Sequence, residues 1–192
     1  MKRVIFLLSS LFFCHSVIAQ ISIGIRAEPI FYIQQENIVH LSIHQSETIK
    51  HSPKANIIMC AAFTIKAFDE VSLSLRPGFV IGEFYGGFDA GLLSSIYISK
   101  KYYLLGGINI HVNGGSGGNT RVSRNVDINY LAIGGGQKLG KNGFFEIQFN
   151  YPFKQPVYGY IYSYEGSPIH SVSTGLTIPW CIKISFGVEW EL

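Results

Sequence analysis

Ile184-Ser185-Phe186-Gly187-Val188-Glu189-Trp190-Glu191-Leu192 closes the chain. Large apolar side chains occupy every even position, and small or charged ones every odd position. Side chains along a β-strand point alternately to opposite faces, so this stretch reads as a strand with one greasy face and one polar face. The greasy face needs a cover, and either lipid or the core of a soluble sheet protein would provide one.

The same alternation recurs upstream. Strands are expected at about 20–34, 57–66, 71–84, 89–99, 102–112, 126–139, 145–151 and 180–192. In the first, Ile21, Ile23, Ile25 and Ala27 oppose Ser22, Gly24, Arg26 and Glu28. In the third, Val71, Leu73, Leu75, Phe79 and Ile81 oppose Ser72, Ser74, Arg76, Gly78 and Gly82. The phase is less clean in the fourth strand and ambiguous in the sixth, where Gly134, Gly135 and Gly136 interrupt it. Links of a few residues (Phe68-Asp69-Glu70, Lys100-Lys101, Gly140-Lys141-Asn142-Gly143) have the length and chemistry of hairpin turns. They alternate with longer links at 35–56, 113–125 and 152–179, with Tyr85-Gly86-Gly87-Phe88 a short exception. An even strand count puts both ends of the chain on the side of the tight turns. That is the layout of an antiparallel transmembrane barrel with short turns on one side and long loops on the other.

Aromatics gather at the expected strand ends, where rings with one polar tip suit a membrane boundary. Phe31, Tyr32, Phe84, Tyr85, Phe88, Tyr151 and Phe153 lie toward the loops. Phe68, Tyr97, Tyr102, Tyr103, Phe144 and Trp190 lie toward the turns. The polar face carries Arg26, Lys66, Arg76 and Lys183 together with Glu28, Glu146 and Glu189. Charges of both signs inside so narrow a barrel can pair, so the interior is expected to be a packed polar network and not a pore.

Composition agrees with a sheet protein. Only 14% of the chain is charged, another 14% is aromatic and there are 21 glycines. The net charge of +3 is small and dispersed, which gives no reason to expect nucleic acid. Lys2 and Arg3 precede an uncharged run ending Val17-Ile18-Ala19, the layout of a cleaved secretory signal. Residues 1–19 are therefore expected to be a signal peptide and 20–192 one barrel domain. Lipidation at Cys14 is disfavoured by the bulky Phe12 and Phe13 before it. Cys60 and Cys181 then remain, separated by one intervening strand or about 10 Å, too far for a disulfide.

On this architecture and its last strand, the mature chain resembles the small eight-stranded outer-membrane barrels of the OmpA and OmpX type from Gram-negative bacteria. The resemblance implies residence in outer-membrane lipid and insertion by the barrel assembly machinery. It also implies an assembly signal at Ile184, Phe186, Val188, Trp190 and Leu192. The family usually ends in Phe, whereas Leu192 takes that place here and Trp190 lies two positions earlier on the same face.

Motifs that would carry chemistry are sparse, and no catalytic residue, metal ligand or cofactor is assigned. In Val39-His40-Leu41-Ser42-Ile43-His44 an extended chain would put His40, Ser42 and His44 on one face. Two histidines so spaced could hold a metal, and a His-x-Ser pair suits a lipid-deacylating barrel, but Glu47 falls on the wrong face to orient the histidine. The alternative is a barrel wall that continues outward. His170-Ser171-Val172-Ser173 lacks the spacing altogether. Asn113-Gly114-Gly115-Ser116-Gly117-Gly118-Asn119 lacks the Gly-Lys-Ser/Thr ending of a phosphate loop. Gly134-Gly135-Gly136 reads as strand made bendable or left open for a neighbouring ring. Tyr158, Tyr160, Tyr162 and Tyr164 alternate in the last loop, suited to partner contact or to extending the wall.

The resulting expectation is an all-β, eight-stranded, antiparallel, up-and-down transmembrane barrel. It would present His40, His44 and the loop tyrosines outward, without catalysis, for adhesion, envelope integrity or binding of an extracellular protein or glycan. The alternatives are a barrel enzyme acting on lipid and a soluble lipocalin-like carrier of a small apolar ligand.

Overall fold

A computed structural model describes residues 20–40, 46–68, 70–82, 85–114, 121–123, 126–161 and 171–192. Every regular element among them is a strand: β1 (Gln20–His40), β2 (Ser46–Phe68), β3 (Val71–Ile81), β4 (Gly87–Tyr97), β5 (Tyr102–Asn113), β6 (Arg121–Ser123), β7 (Val126–Leu139), β8 (Gly143–Pro152), β9 (Gly159–Ile161), β10 (Ser171–Thr177) and β11 (Cys181–Glu191). β1, β2, β3, β4, β5, β7, β8 and β11 pair with their neighbours in that order, and β11 pairs back onto β1. All of these pairings are antiparallel, so the sheet closes as an up-and-down ring of eight. Closure removes the sheet edges that an open sheet of this length would expose.

The faces are sorted by residue parity. Along β8, Phe144, Glu146, Gln148, Asn150 and Pro152 are buried inside the ring, while Phe145, Ile147, Phe149 and Tyr151 stand outside. The final stretch obeys the same rule: Lys183 and Ser185 are buried, and Phe186 and Trp190 point outward. Gly140 sits at φ 67°, a left-handed conformation that costs glycine no Cβ clash, and turns β7 into β8.

Three features depart from the sequence expectation. First, β1 runs on past 34 to His40 and β2 begins at Ser46 and not at 57, and the two stay in register from Gln20↔Lys66 to His40↔Ser46. Both faces of this part of the hairpin are polar, so alternation gives no signal there. Second, the long links are partly sheet. β10 pairs on β1 above β11, β9 pairs on β10 and β6 on β9, which raises the wall on one side of the mouth. The outer edge of the β1–β2 hairpin carries Lys50, Pro53 and Lys54, residue types that discourage pairing with a foreign strand. Third, five residues placed among the boundary aromatics face inward. Tyr32, Tyr85, Tyr103 and Phe144 are buried and Tyr97 packs beside Tyr103. Height along the strand suggested the boundary, but parity points these rings into the lumen. Phe31, Phe68, Phe88, Tyr102, Tyr151, Phe153 and Trp190 do stand outside, and Phe84 lies outside the described residues.

Candidate functional site

Among the described residues, chemistry-bearing side chains converge in the lumen, which has two polar tiers beneath an apolar cap. In the tier nearer the turns, Glu146 of β8 is the hub. Arg76 of β3 reaches it with two parallel bonds, Nη1 to Oε2 at 2.6 Å and Nη2 to Oε1 at 3.0 Å. Arg26 of β1 pairs with Oε2 at 2.9 Å, and the Tyr103 hydroxyl donates to Oε1 at 2.7 Å. Gln148 Nε2 adds a bond at 3.3 Å. Arg26 also pairs with Glu189, and its guanidinium lies 3.8 Å from the centre of the Phe144 ring. A buried charge without a partner is costly, so two arginines on the strands either side of β2 are tolerated because carboxylates and a ring meet them.

A glycine makes this arrangement possible. Gly136 lies opposite Tyr103 on one side and Glu146 on the other. A Cβ there would come within 2.4 Å of the Tyr103 ring. The missing side chain lets the tyrosine lie across β7 and reach the carboxylate.

The second tier lies toward the loops. Lys183 Nζ of β11 bonds Asp89 Oδ1 of β4 at 2.7 Å, and the other oxygen faces His111 Nδ1 of β5 at 3.6 Å. His111 Nε2 stands 3.5 Å from Asn113 Oδ1. Asn113 then ties down two segments outside the ring: its Oδ1 accepts from the Gly86 amide at 3.1 Å and its Nδ2 donates to the Tyr158 carbonyl at 3.0 Å. Tyr85 stacks on His111 with ring centres 3.8 Å apart.

Above these tiers the lumen turns apolar. Ile30, Tyr32, Ile58, Val80, Tyr130 and Leu176 pack with Tyr85 and Tyr158 into one buried cluster. Tyr158 meets Tyr85 edge-on at 6.1 Å and donates to Gln34 Oε1 at 3.2 Å. Burial pushes both hydroxyls above the ordinary tyrosine range, so they stay neutral. The mouth is thus capped by an inward-facing cluster, where strand-end position alone suggests an outward boundary for Tyr32 and Tyr85.

Of the residues nominated from the sequence, Arg26, Arg76, Glu146 and Glu189 meet in one network, and Lys183 belongs to the other. Glu28 is buried on the inner face of β1. Lys66 sits half-buried at the turn end, lining a vestibule of about 60 Å3 where Lys138 and Lys141 are balanced by Glu189 and Glu191. Ile184, Phe186, Val188 and Trp190 share the outer face of β11, and Leu192 stands exposed beyond it. Tyr158 is corrected most: expected to be available for outside contact, it is fully buried in the cap, because its segment folds back over the mouth. His40 ends β1 and Tyr160 falls in β9. His44, Tyr162 and Tyr164 lie outside the described residues.

Asp89 and His111 were missed. His111 could have been found by carrying the β5 phase two residues beyond Asn109. On β4 the buried Leu93 and the outward-facing Ser94 reverse the usual polarity and hide the phase. Cys60 and Cys181 are both free and buried, on β2 and β11 with β1 between them. Among the described residues no group of three His, Cys, Asp or Glu side chains is placed to hold a metal.

The class defined by this geometry is a small closed barrel with an apolar outside and a filled inside. Among solved structures, the outer membrane protein OprG from Pseudomonas aeruginosa has a similar fold. The likeness has a TM-score of 0.54 at 13% identity and covers 90% of this chain and 96% of that one. No protein-family model matches the chain, and no curated protein matches it either.

Proposed function

We propose that this chain is an outer-membrane barrel that works without catalysis, as a scaffold holding its β1–β2 hairpin and outer loops away from the cell. The observation that carries the reading is the inverted sorting of side chains. Ile25 (58% exposed), Met59 (53%), Leu75 (49%), Ile108 (45%) and Ile147 (48%) all face out, while Arg26, Arg76, Glu146 and Lys183 are buried. Water solvates the second set far better than the first, so a soluble barrel would have the faces exchanged. The outward aromatics near both ends suit a hydrocarbon layer, and the likeness to an outer membrane protein supports the same placement.

In this reading residues 1–19 are removed on export. The outer face of β11, with Ile184, Phe186, Val188, Trp190 and Leu192, is the surface that the assembly machinery engages. The raised wall serves adhesion, envelope integrity or contact with an extracellular protein or glycan. Fractionation of cells expressing the full chain, with gel mobility of boiled and unboiled samples, tests the placement. Recovery with the outer membrane and a mobility shift on boiling is expected. A soluble product with no shift would overturn it and turn the outward residues into a core.

A further inference from the structure

We propose that the outer face of β5, β7 and β8 holds a phospholipid with an anionic headgroup, its acyl chain lying in a groove of the barrel wall and its phosphate at the Lys100-Lys101 turn. Leu104, Ile133, Ile147 and Phe149 stand outward around the paired Leu105 and Gly134, and together they line a groove of about 510 Å3. Two outward positions beside it carry no side chain. Gly135 lies between Leu104 and Ile147, and Gly106 lies opposite Ile133. The surrounding side chains are all apolar, so the groove suits a flexible hydrocarbon chain, which gains contact there and asks for no hydrogen bond.

The neighbouring turns supply the charge that selects the headgroup. Lys100 and Lys101 are exposed, and the Lys101 ammonium stands 5.7 Å from the centre of the outward-facing Tyr102 ring. Tyr102, Leu104 and Gly106 follow one another on the outer face of β5, so cation, ring and groove come in that order down one side of the wall. The Lys138 amide donates to the Lys101 carbonyl at 2.8 Å, which brings the β7–β8 turn alongside with Lys138 and Lys141. Neither turn contains an aspartate or a glutamate. At about 3.3 Å per residue, Lys101 and Leu104 are about 10 Å apart along the strand. The ammonium therefore reaches the level of the phosphates while the groove lies among acyl chains. The inference rests on the outer-membrane reading, in which these turns face the cell, so the lipid comes from the inner leaflet.

The test is native mass spectrometry of the full-length barrel in detergent, with equal amounts of phosphatidylglycerol and phosphatidylcholine bearing the same chains, after gel mobility has shown the barrel to be folded. Preferential retention of phosphatidylglycerol is expected. Lys100→Gln combined with Lys101→Gln should lower that preference by about fivefold for each lysine. Gly106→Leu should lower retention of both lipids and leave their ratio unchanged. A Cβ there meets only the Ala132 carbonyl oxygen, at 3.7 Å, so the groove fills without strain in the wall. A barrel that shifts on boiling but retains the two lipids equally would overturn this proposal alone, as would a preference indifferent to both lysines. Lipid-free dimers would give the groove to a second copy and overturn it too. A soluble chain with no shift removes the membrane reading and this inference together. If a variant fails to fold, the preference of the unsubstituted barrel decides.

Discussion

Glu146 is the residue on which the interior depends. It satisfies Arg76 in a two-bond pair, Arg26 in a second pair and Tyr103 through its hydroxyl. Glu146→Ala leaves two buried guanidinium groups short of a partner. Losing one member of a buried pair costs about 3–5 kcal/mol, so urea unfolding of the variant in lipid vesicles should show a loss of that order. Replacing Arg76 and Glu146 together by apolar residues should cost less than Glu146→Ala alone. Gly136→Val probes the same site from the other side, since its Cβ would enter the Tyr103 ring. Overpacking of this kind costs about 1–3 kcal/mol, and the Tyr103 fluorescence environment should change with it. The arginines and glutamates were legible from the sequence because they fall on the polar phase of cleanly alternating strands. Asp89 escaped because alternation on β4 is reversed at Leu93 and Ser94. The cap escaped for a different reason: at Ile30-Phe31, Ile57-Ile58 and Val80-Ile81 both faces are apolar, and a period of two leaves no trace.

At the scale of the element, the outer face of β5 distinguishes lipid from water directly. Ile108 lies near the middle of that strand and faces out. Ile108→Arg should destabilise the protein by about 2–4 kcal/mol if hydrocarbon surrounds it, and should be nearly neutral in a water-exposed sheet; equilibrium unfolding reads the difference. The β1–β2 hairpin makes the opposite prediction. A transmembrane strand needs about 9–11 residues, whereas β1 has 21 and β2 has 23. Deleting residues 36–51 should leave the mobility shift on boiling intact. The same deletion removes most of the strand on which β10 pairs, so limited proteolysis should cut the 171–177 segment faster. From the sequence, a wall continuing outward through these extensions is only one of two readings, because polar residues on both faces look like loop. Their content of Ile, Val and Thr was the remaining signal, and β propensity alone is too context-dependent to locate a strand.

For the whole molecule, the ring of eight was readable because each wall strand separates two different environments, and tight turns alternate with long links. What fills the ring was readable only in its lower half. Buried charges occupy one half of the lumen, and Tyr32, Tyr85, Tyr130 and Tyr158 pack into the other. The purified barrel in planar bilayers should therefore show no discrete channel openings, and regular conductance steps would contradict the filled lumen. The central claim, that this barrel turns its greasy face to lipid and its charges inward, is tested most directly by spin labels placed singly at 145 through 150 along β8, with Cys60 and Cys181 replaced by Ala. The account predicts strong relaxation by lipid-soluble oxygen at 145, 147 and 149 and little relaxation by either oxygen or a water-soluble nickel chelate at 146, 148 and 150. Access of the nickel chelate to 145, 147 and 149, with oxygen excluded there, would contradict it.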